Sequence, residues 1–160
     1  MQVFDASSMI YAWDNYPIQQ FPGLWEWIET QIDEKVVVMP NLAFEEVMFK
    51  TPDCGKWLKD NNLEQLEITN IVLQDAMRIK LLLGIVDDNY HPKGVGENDL
   101  LIIASARACS AELVTDEERQ LTLPKVTAKR KIPAVCEMES VSLPCINFID
   151  FIKRSAVVFR

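Results

Sequence analysis

Val3 to Trp13 read VFDASSMIYAW, and this stretch decides how the rest of the chain is read. Val3 and Phe4 end a short apolar run, Asp5 follows directly, and the hydroxyls of Ser7 and Ser8 open a helical pattern. The segment therefore reads as a buried strand, MQVF, feeding a helix, SSMIYAWDNY. A carboxylate leaving a buried strand is costly unless a cation or hydrogen-bond donors meet it. Asp5 needs a partner from elsewhere in the chain.

The same alternation continues downstream. In PIQQFPGLWEWIETQIDEK the residues Ile18, Phe21, Leu24, Trp25, Ile28 and Ile32 recur at the spacing of an amphipathic helix. VVVM then forms a second buried strand closed by Pro40. NLAFEEVMFK reads as a helix capped by Asn41, and PDCGKWLKDNN as a short one with Trp57 in the core. From Asn70 to Asp87 a longer helix is expected, with Ile71, Met77 and Leu81 near one stripe. After the loop DDNYHPKGVG, the aliphatics of ENDLLIIASARACSA wrap every side, which suits a helix buried in mid-domain. ELVT is a third strand, IPAVCEMES a short helix with proline in its first turn, LPCINF a fourth strand candidate and IDFIKRSA a final helix. Strands with continuous apolar runs, separated by helices, predict a three-layer α/β/α domain around a central parallel sheet. With no repeat, low-complexity tract or linker, residues 1–160 read as one domain.

Composition narrows the function. A chain of 160 residues with 49% hydrophobic content and five glycines has material for a full core. No basic region precedes an apolar run at the amino terminus, and no stretch approaches the roughly 20 apolar residues that span a bilayer. A soluble, unsecreted, cytoplasmic protein is expected. Cys54, Cys109, Cys136 and Cys145 form no CxxC pair and His91 is the sole histidine, so reduced thiols and no sulfur-bound metal are expected. A net charge of −8 argues against a broad basic face for nucleic acid. Arg119, Lys125, Lys129, Arg130 and Lys131 nevertheless lie in RQLTLPKVTAKRK, which holds no acid. That segment is either a solvated loop or an arm that contacts phosphate.

In open parallel sheets, functional groups gather beyond the carboxyl ends of the strands. Asp5 follows the first strand, Asp116 and Glu117 follow the third, Asp99 stands at the mouth of the buried helix, and Glu45 and Glu46 lie in the helix after the second strand. Each has an ordinary explanation: Asp5 or Asn98 as a cap, Asp99 favouring a helix dipole, Glu46 as a solvated side chain. Caps, however, need not converge on one edge. Two bare carboxylates about 4 Å apart repel by roughly 4 kcal/mol at an effective dielectric near 20, and a divalent cation removes that cost. Oxygen ligands alone suit Mg²⁺ or Mn²⁺. Such an ion orients a phosphate oxygen and lowers the pKa of water, the basis of metal-assisted phosphodiester hydrolysis. A phosphoacceptor receiver domain needs two adjacent acids after its first strand and a haloacid-type phosphatase needs Asp-x-Asp; VFDASS offers one acid.

At these residues the chain resembles the PIN-domain family of metal-dependent ribonucleases, and more closely a bacterial PIN-like branch related to toxins of toxin-antitoxin pairs. The resemblance rests on VFDASSMI, MPNLAFEEV, ENDLLIIASA and ELVTDE, and on the tail KIPAVCEMESVSLPCINFIDFIKR. It implies catalytic roles for Asp5, Glu46, Asp99 and Glu117. Asp5, Asp99 and either Glu117 or Asp116 would be ligands of Mg²⁺ or Mn²⁺, and Ser7 and Thr115 would support the cluster. It further implies endoribonuclease activity that leaves a 3′ hydroxyl and a 5′ phosphate, a homodimer, and an antitoxin that covers the acidic site. Arg119, Lys125, Lys129, Arg130 and Lys131 are the candidates for contact with RNA. Ala6 stands where the family usually has Ser or Thr, and Glu117 where it usually has Asp. A PIN-fold module that binds RNA or a protein partner without cutting it is the second reading.

Overall fold

The computed structural model describes all 160 residues. Five short strands form one all-parallel sheet: β1 (Gln2–Phe4), β2 (Val37–Pro40), β3 (Gln65–Leu66), β4 (Glu112–Val114) and β5 (Cys145–Ile146), in the order β3-β2-β1-β4-β5. Val3 pairs with Val38 on one side and with Leu113 on the other. The apolar runs that announced β1, β2 and β4 are buried throughout their inner residues, as a sheet covered on both faces requires. β5 occupies part of LPCINF. β3 was not anticipated: it is a two-residue edge strand beside Met39 and Pro40 with no apolar run of its own.

Eight helices cover the sheet: α1 (Ala6–Asn15), α2 (Pro22–Asp33), α3 (Asn41–Lys50), α4 (Pro52–Asp60), α5 (Asn70–Leu82), α6 (Glu97–Ala108), α7 (Ile132–Cys136) and α8 (Phe148–Ser155). The result is a three-layer, PIN-like α/β/α fold with 40 buried residues in a single hydrophobic cluster. All four cysteines are free, and no helix is long and apolar enough to cross a membrane.

Local chemistry corrects several boundaries. α2 starts at Pro22 rather than near Ile18, because residues 17–20 form a turn and Pro22 suits the first helical turn. Asn41 is the first residue of α3 and Pro40 holds the cap position. α5 stops at Leu82, and Gly84 takes the left-handed conformation (φ +71°) that ends helices. The stripe expected on this helix is the wrong one. Ile71, Met77 and Leu81 are 70%, 64% and 75% exposed, while Val72, Ala76 and Ile79 are buried. Apolar residues occur on both sides of α5, so periodicity alone did not select the inner face. α6 is buried as expected, through Leu100, Ile102, Ile103 and Ala104.

The topology fixes where a site must lie. From the central β1 the chain moves outward through β2 and β3, then returns to the other flank of β1 for β4 and β5. The carboxyl ends of β1 and β4 therefore bound the switch point, the usual crevice of such sheets. The α5–α6 connection closes one side of it by docking on the segment after β4. Val95 N–H donates to the Arg130 carbonyl (3.0 Å) and Thr127 Oγ1 to the Leu83 carbonyl (2.8 Å). Gly94 lies so close to the Ala128 carbonyl that no side chain fits there.

Candidate active site

Asp5 leaves β1 at the switch point and is only 3% exposed. It occupies the N-cap position of α1, yet its side chain makes no cap bond. Its Oδ2 instead accepts hydrogen bonds from Ser7 Oγ (2.6 Å) and Thr115 Oγ1 (2.9 Å). The same hydroxyls receive backbone N–H groups of the β4 exit: Asp116 N–H donates to Ser7 Oγ (3.0 Å) and Glu117 N–H to Thr115 Oγ1 (3.2 Å). The ends of β1 and β4 are thus stitched together around one carboxylate. Burial pushes the Asp5 carboxyl pKa upward; the Ser7 and Thr115 bonds oppose this, and the charges of Glu117 and Glu46 add to it.

Asp99, half-buried in the first turn of α6, accepts the Gly96 N–H at Oδ2 (2.9 Å). Its ordinary role at a helix start is therefore real. Burial also raises its pKa from 3.8 to about 6 against that bond, with further contributions from Asp5, Glu117 and Glu46. Asp99 and Glu117 line a common cavity of about 230 Å³ with Lys93, Gly94 and Lys131. Glu46 comes from α3, where its Oε1 lies 2.6 Å from Lys50 Nζ. These four acids, from four separate segments, share one electrostatic environment.

Asp116 points elsewhere. Its Oδ2 accepts Ser8 Oγ (2.7 Å) and Phe148 N–H (3.3 Å), which ties the β4 exit to α1 and α8. Burial raises its pKa, those two bonds oppose the rise, and the acid acting on it is Asp150. Of the two carboxylates that competed for the last position in sequence, Glu117 faces the cluster and Asp116 does not.

No three Asp, Glu, His or Cys side chains stand close enough to form a metal-holding group. The acids form an open cluster, not a closed cage. Their chemistry nonetheless fits a hard cation. The donors are all oxygen, both hydroxyls on Asp5 fall on Oδ2 and leave Oδ1 available, and Mg²⁺ binds through few carboxylates while keeping its waters.

Sequence reasoning missed Lys50. Bonding to Glu46 raises its pKa despite partial burial, and the charges of Glu46, Asp5 and Glu117 act in the same direction. The Glu46–Lys50 spacing of four was the available signal, because such pairs meet on one helix face. Lys93 was also missed, since its loop reads only as punctuation.

The basic segment is mostly held in place. Arg119 donates to the Cys145 carbonyl (2.7 Å) and pairs with Glu137 (3.4 Å), while Arg130 Nε donates to the Pro124 carbonyl (3.3 Å). Gln120 clasps the segment, accepting Lys131 N–H (2.9 Å) and donating to the Lys129 carbonyl (3.0 Å). Lys131 alone of the five lines the acidic cavity, with Glu118 3.5 Å from its Nζ. Lys125 and Lys129 are exposed.

Residues 2–159 match the family described as a domain of unknown function (DUF4411). No curated protein matches this sequence. Among solved structures, the chain is similar to VapBC2 from Rickettsia felis, solved bound to a DNA fragment from their promoter. The TM-score is 0.56 and the identity 17%, over 91% of this chain and 97% of that one. PAE2754 from Pyrobaculum aerophilum aligns with a TM-score of 0.49 and 13% identity, over 97% of this chain and 88% of that one. The likeness to VapBC2 is one of fold.

Proposed function

The chain belongs to the DUF4411 family, and we propose from its site that it is a Mg²⁺- or Mn²⁺-dependent endoribonuclease. The observation that carries this reading is that Asp5, joined through Thr115 to the turn bearing Glu117, and Asp99, which lines one cavity with Glu117, gather at the switch point of the parallel sheet, with the charge of Glu46 acting on both Asp5 and Asp99. Caps and solvated acids have no reason to meet there. The fold likeness to VapBC2 and the motif resemblance to the toxin branch support a role as the toxin of a toxin-antitoxin pair, with homodimerisation and an antitoxin over the acidic site.

In this reading Asp5, Asp99 and Glu117 hold the ion, and Ser7 and Thr115 fix the orientation of the Asp5 carboxylate. Asp116 anchors the turn that presents Glu117. Lys131 and Lys93, on the wall shared with Asp99 and Glu117, neutralise phosphates of a single-stranded or structured RNA. The bound cation supplies charge stabilisation at phosphorus and a more acidic water. Hydrolysis breaks the bond from phosphorus to the 3′ oxygen and leaves a 3′ hydroxyl and a 5′ phosphate.

One observation favours the second reading, a module that binds without cutting: the acids are spread too far apart to form a closed group of three. Incubation of the purified protein with an RNA pool separates the two. The nuclease cuts with Mg²⁺ or Mn²⁺, stops in EDTA, and loses cleavage in Asp5→Asn while remaining folded. Cleavage unaffected by EDTA, or none with either metal, rejects it.

A further inference from the structure

We propose that the cavity adjoining the acidic one is a nucleotide subsite, which holds the nucleotide beside the scissile phosphate as the RNA strand crosses a wall formed by Lys93 and Lys131. This inference rests on the nuclease reading of the acidic site.

Between β4 and α7, residues 115–131 contain one 3₁₀ turn (Thr127–Lys129) and no other regular element. Connections longer than about 12–15 residues without structure of their own are uncommon in compact domains and usually carry function. This one is firmly held. Gln120 bonds to the backbone of Lys129 and Lys131, Thr127 ties the segment to Leu83, and Val95 ties it to Arg130. Its apolar tip is nevertheless turned outward: Leu121 is fully exposed, and Thr122 beside it is exposed as well. A fixed loop with an outward leucine presents a surface to a ligand and contributes nothing to the core.

Leu121 and Thr122 line a cavity of about 500 Å³ with Glu118 and Gln120, and its remaining wall is Pro92, Lys93 and Lys131. Those same last three residues line the cavity of Asp99 and Glu117. The two hollows therefore adjoin across one wall. A volume of this size falls within the roughly 300–1,000 Å³ of small-ligand sites and accommodates a nucleotide. The wall also has the charge that a phosphate crossing it requires. Lys93 takes part in no ion pair, and Lys131 Nζ stands 3.5 Å from the exposed Glu118 Oε2, a weak surface pair that a phosphate can displace. Beyond the two ammoniums the lining changes character. Both ends of the Gln120 amide are engaged by the backbone, so a base or ribose meets the apolar side chain of Leu121 and the hydroxyl of Thr122, which can donate and accept. Base faces pack on such exposed side chains with little regard to sequence. Neither residue lines the acidic cavity, so replacing them leaves the proposed ligands of the ion in place.

The test compares the wild type, Leu121→Phe and the double variant Leu121→Ser/Thr122→Ala on a fluorophore-labelled RNA pool, reading kcat and KM separately and measuring Mn²⁺ affinity by electron paramagnetic resonance. In the double variant KM should rise about tenfold, the effect of losing one base contact, with kcat within about twofold and Mn²⁺ affinity unchanged. Leu121→Phe, which offers the base a flat ring, should lower KM by about threefold. Equal KM in all three proteins overturns the proposal and leaves the nuclease reading standing. A loss confined to kcat or to Mn²⁺ affinity in the double variant also overturns it, because the two residues would then support the acidic site and not a nucleotide. Absence of metal-dependent cleavage in the wild type rejects the parent reading and this inference with it.

Discussion

Replacing Asp99 by Asn should make the metal-free protein more stable at neutral pH while removing its affinity for the metal. Burial and three acidic neighbours raise the Asp99 carboxyl pKa from 3.8 to about 6, which corresponds to about 3 kcal/mol against the charged form. Asp99 is only half-buried, and solvent screening lowers the expected effect to about 1–3 kcal/mol. The sign follows from linkage. Below pH 3.8 the carboxyl is protonated in folded and unfolded chains alike, and no penalty exists. As the pH rises through about 6, the folded state must give up a proton it holds more tightly than the unfolded chain, and stability is lost. Asparagine never ionises, and its carbonyl oxygen can still accept the Gly96 N–H at the start of α6. Urea unfolding in EDTA should therefore show near-equal stability of the two proteins around pH 4 and an advantage for Asp99→Asn of about 1–3 kcal/mol around pH 8. That advantage corresponds to a thermal midpoint higher by about 2–12 °C for a chain of this size. Added Mn²⁺ should stabilise the wild type and leave the variant unchanged. A variant no more stable than wild type near pH 8, or an advantage that does not vary with pH, refutes the reasoning.

Thr115→Val removes the hydroxyl that joins Asp5 to the Glu117 backbone; urea unfolding should register a loss of about 1.5–3 kcal/mol, the usual worth of a bond to a charged group. Glu117→Gln should reduce RNA cleavage by about 100-fold or more. Asp116→Asn, altering a carboxylate engaged by Ser8 and the α8 backbone, should show its main effect in thermal unfolding and keep cleavage within about threefold. Gly94→Ala forces the α5–α6 connection off the Ala128 carbonyl. Calorimetry should show a lower midpoint, with a cost of about 1–3 kcal/mol, and weaker Mn²⁺ binding as Asp99 moves away from Glu117.

The parts of the fold that could be read in advance were those where one physical requirement dominates. β1, β2 and β4 lie in the middle of a doubly covered sheet, so every inner residue had to be apolar. β3 sits at an edge with one neighbour, and Gln65 and Leu66 need only offer backbone groups to β2. No side-chain pattern marks it. On α5 the inner stripe of Val72, Ala76 and Ile79 competes with an outer stripe of equally apolar residues, and the choice between them is made by packing against α6. At the site, the position of Asp5 was legible because a carboxylate at the end of a buried strand is conspicuous. The choice between Asp116 and Glu117 was not, since adjacent residues leave a strand end in different directions and only the partners, Ser8 and Phe148 for Asp116, reveal which one turns away. Lys50 escaped notice because a Glu-Lys pair four residues apart is an ordinary feature of a helix surface and carries no mark of a site.

Crystals grown with Mn²⁺ at neutral pH and measured for anomalous scattering examine the account at its root. A peak between the carboxylates of Asp5, Asp99 and Glu117, absent from crystals of Asp5→Asn, is the predicted result. A map with no peak in that crevice, or with Mn²⁺ bound only elsewhere on the surface, would contradict it.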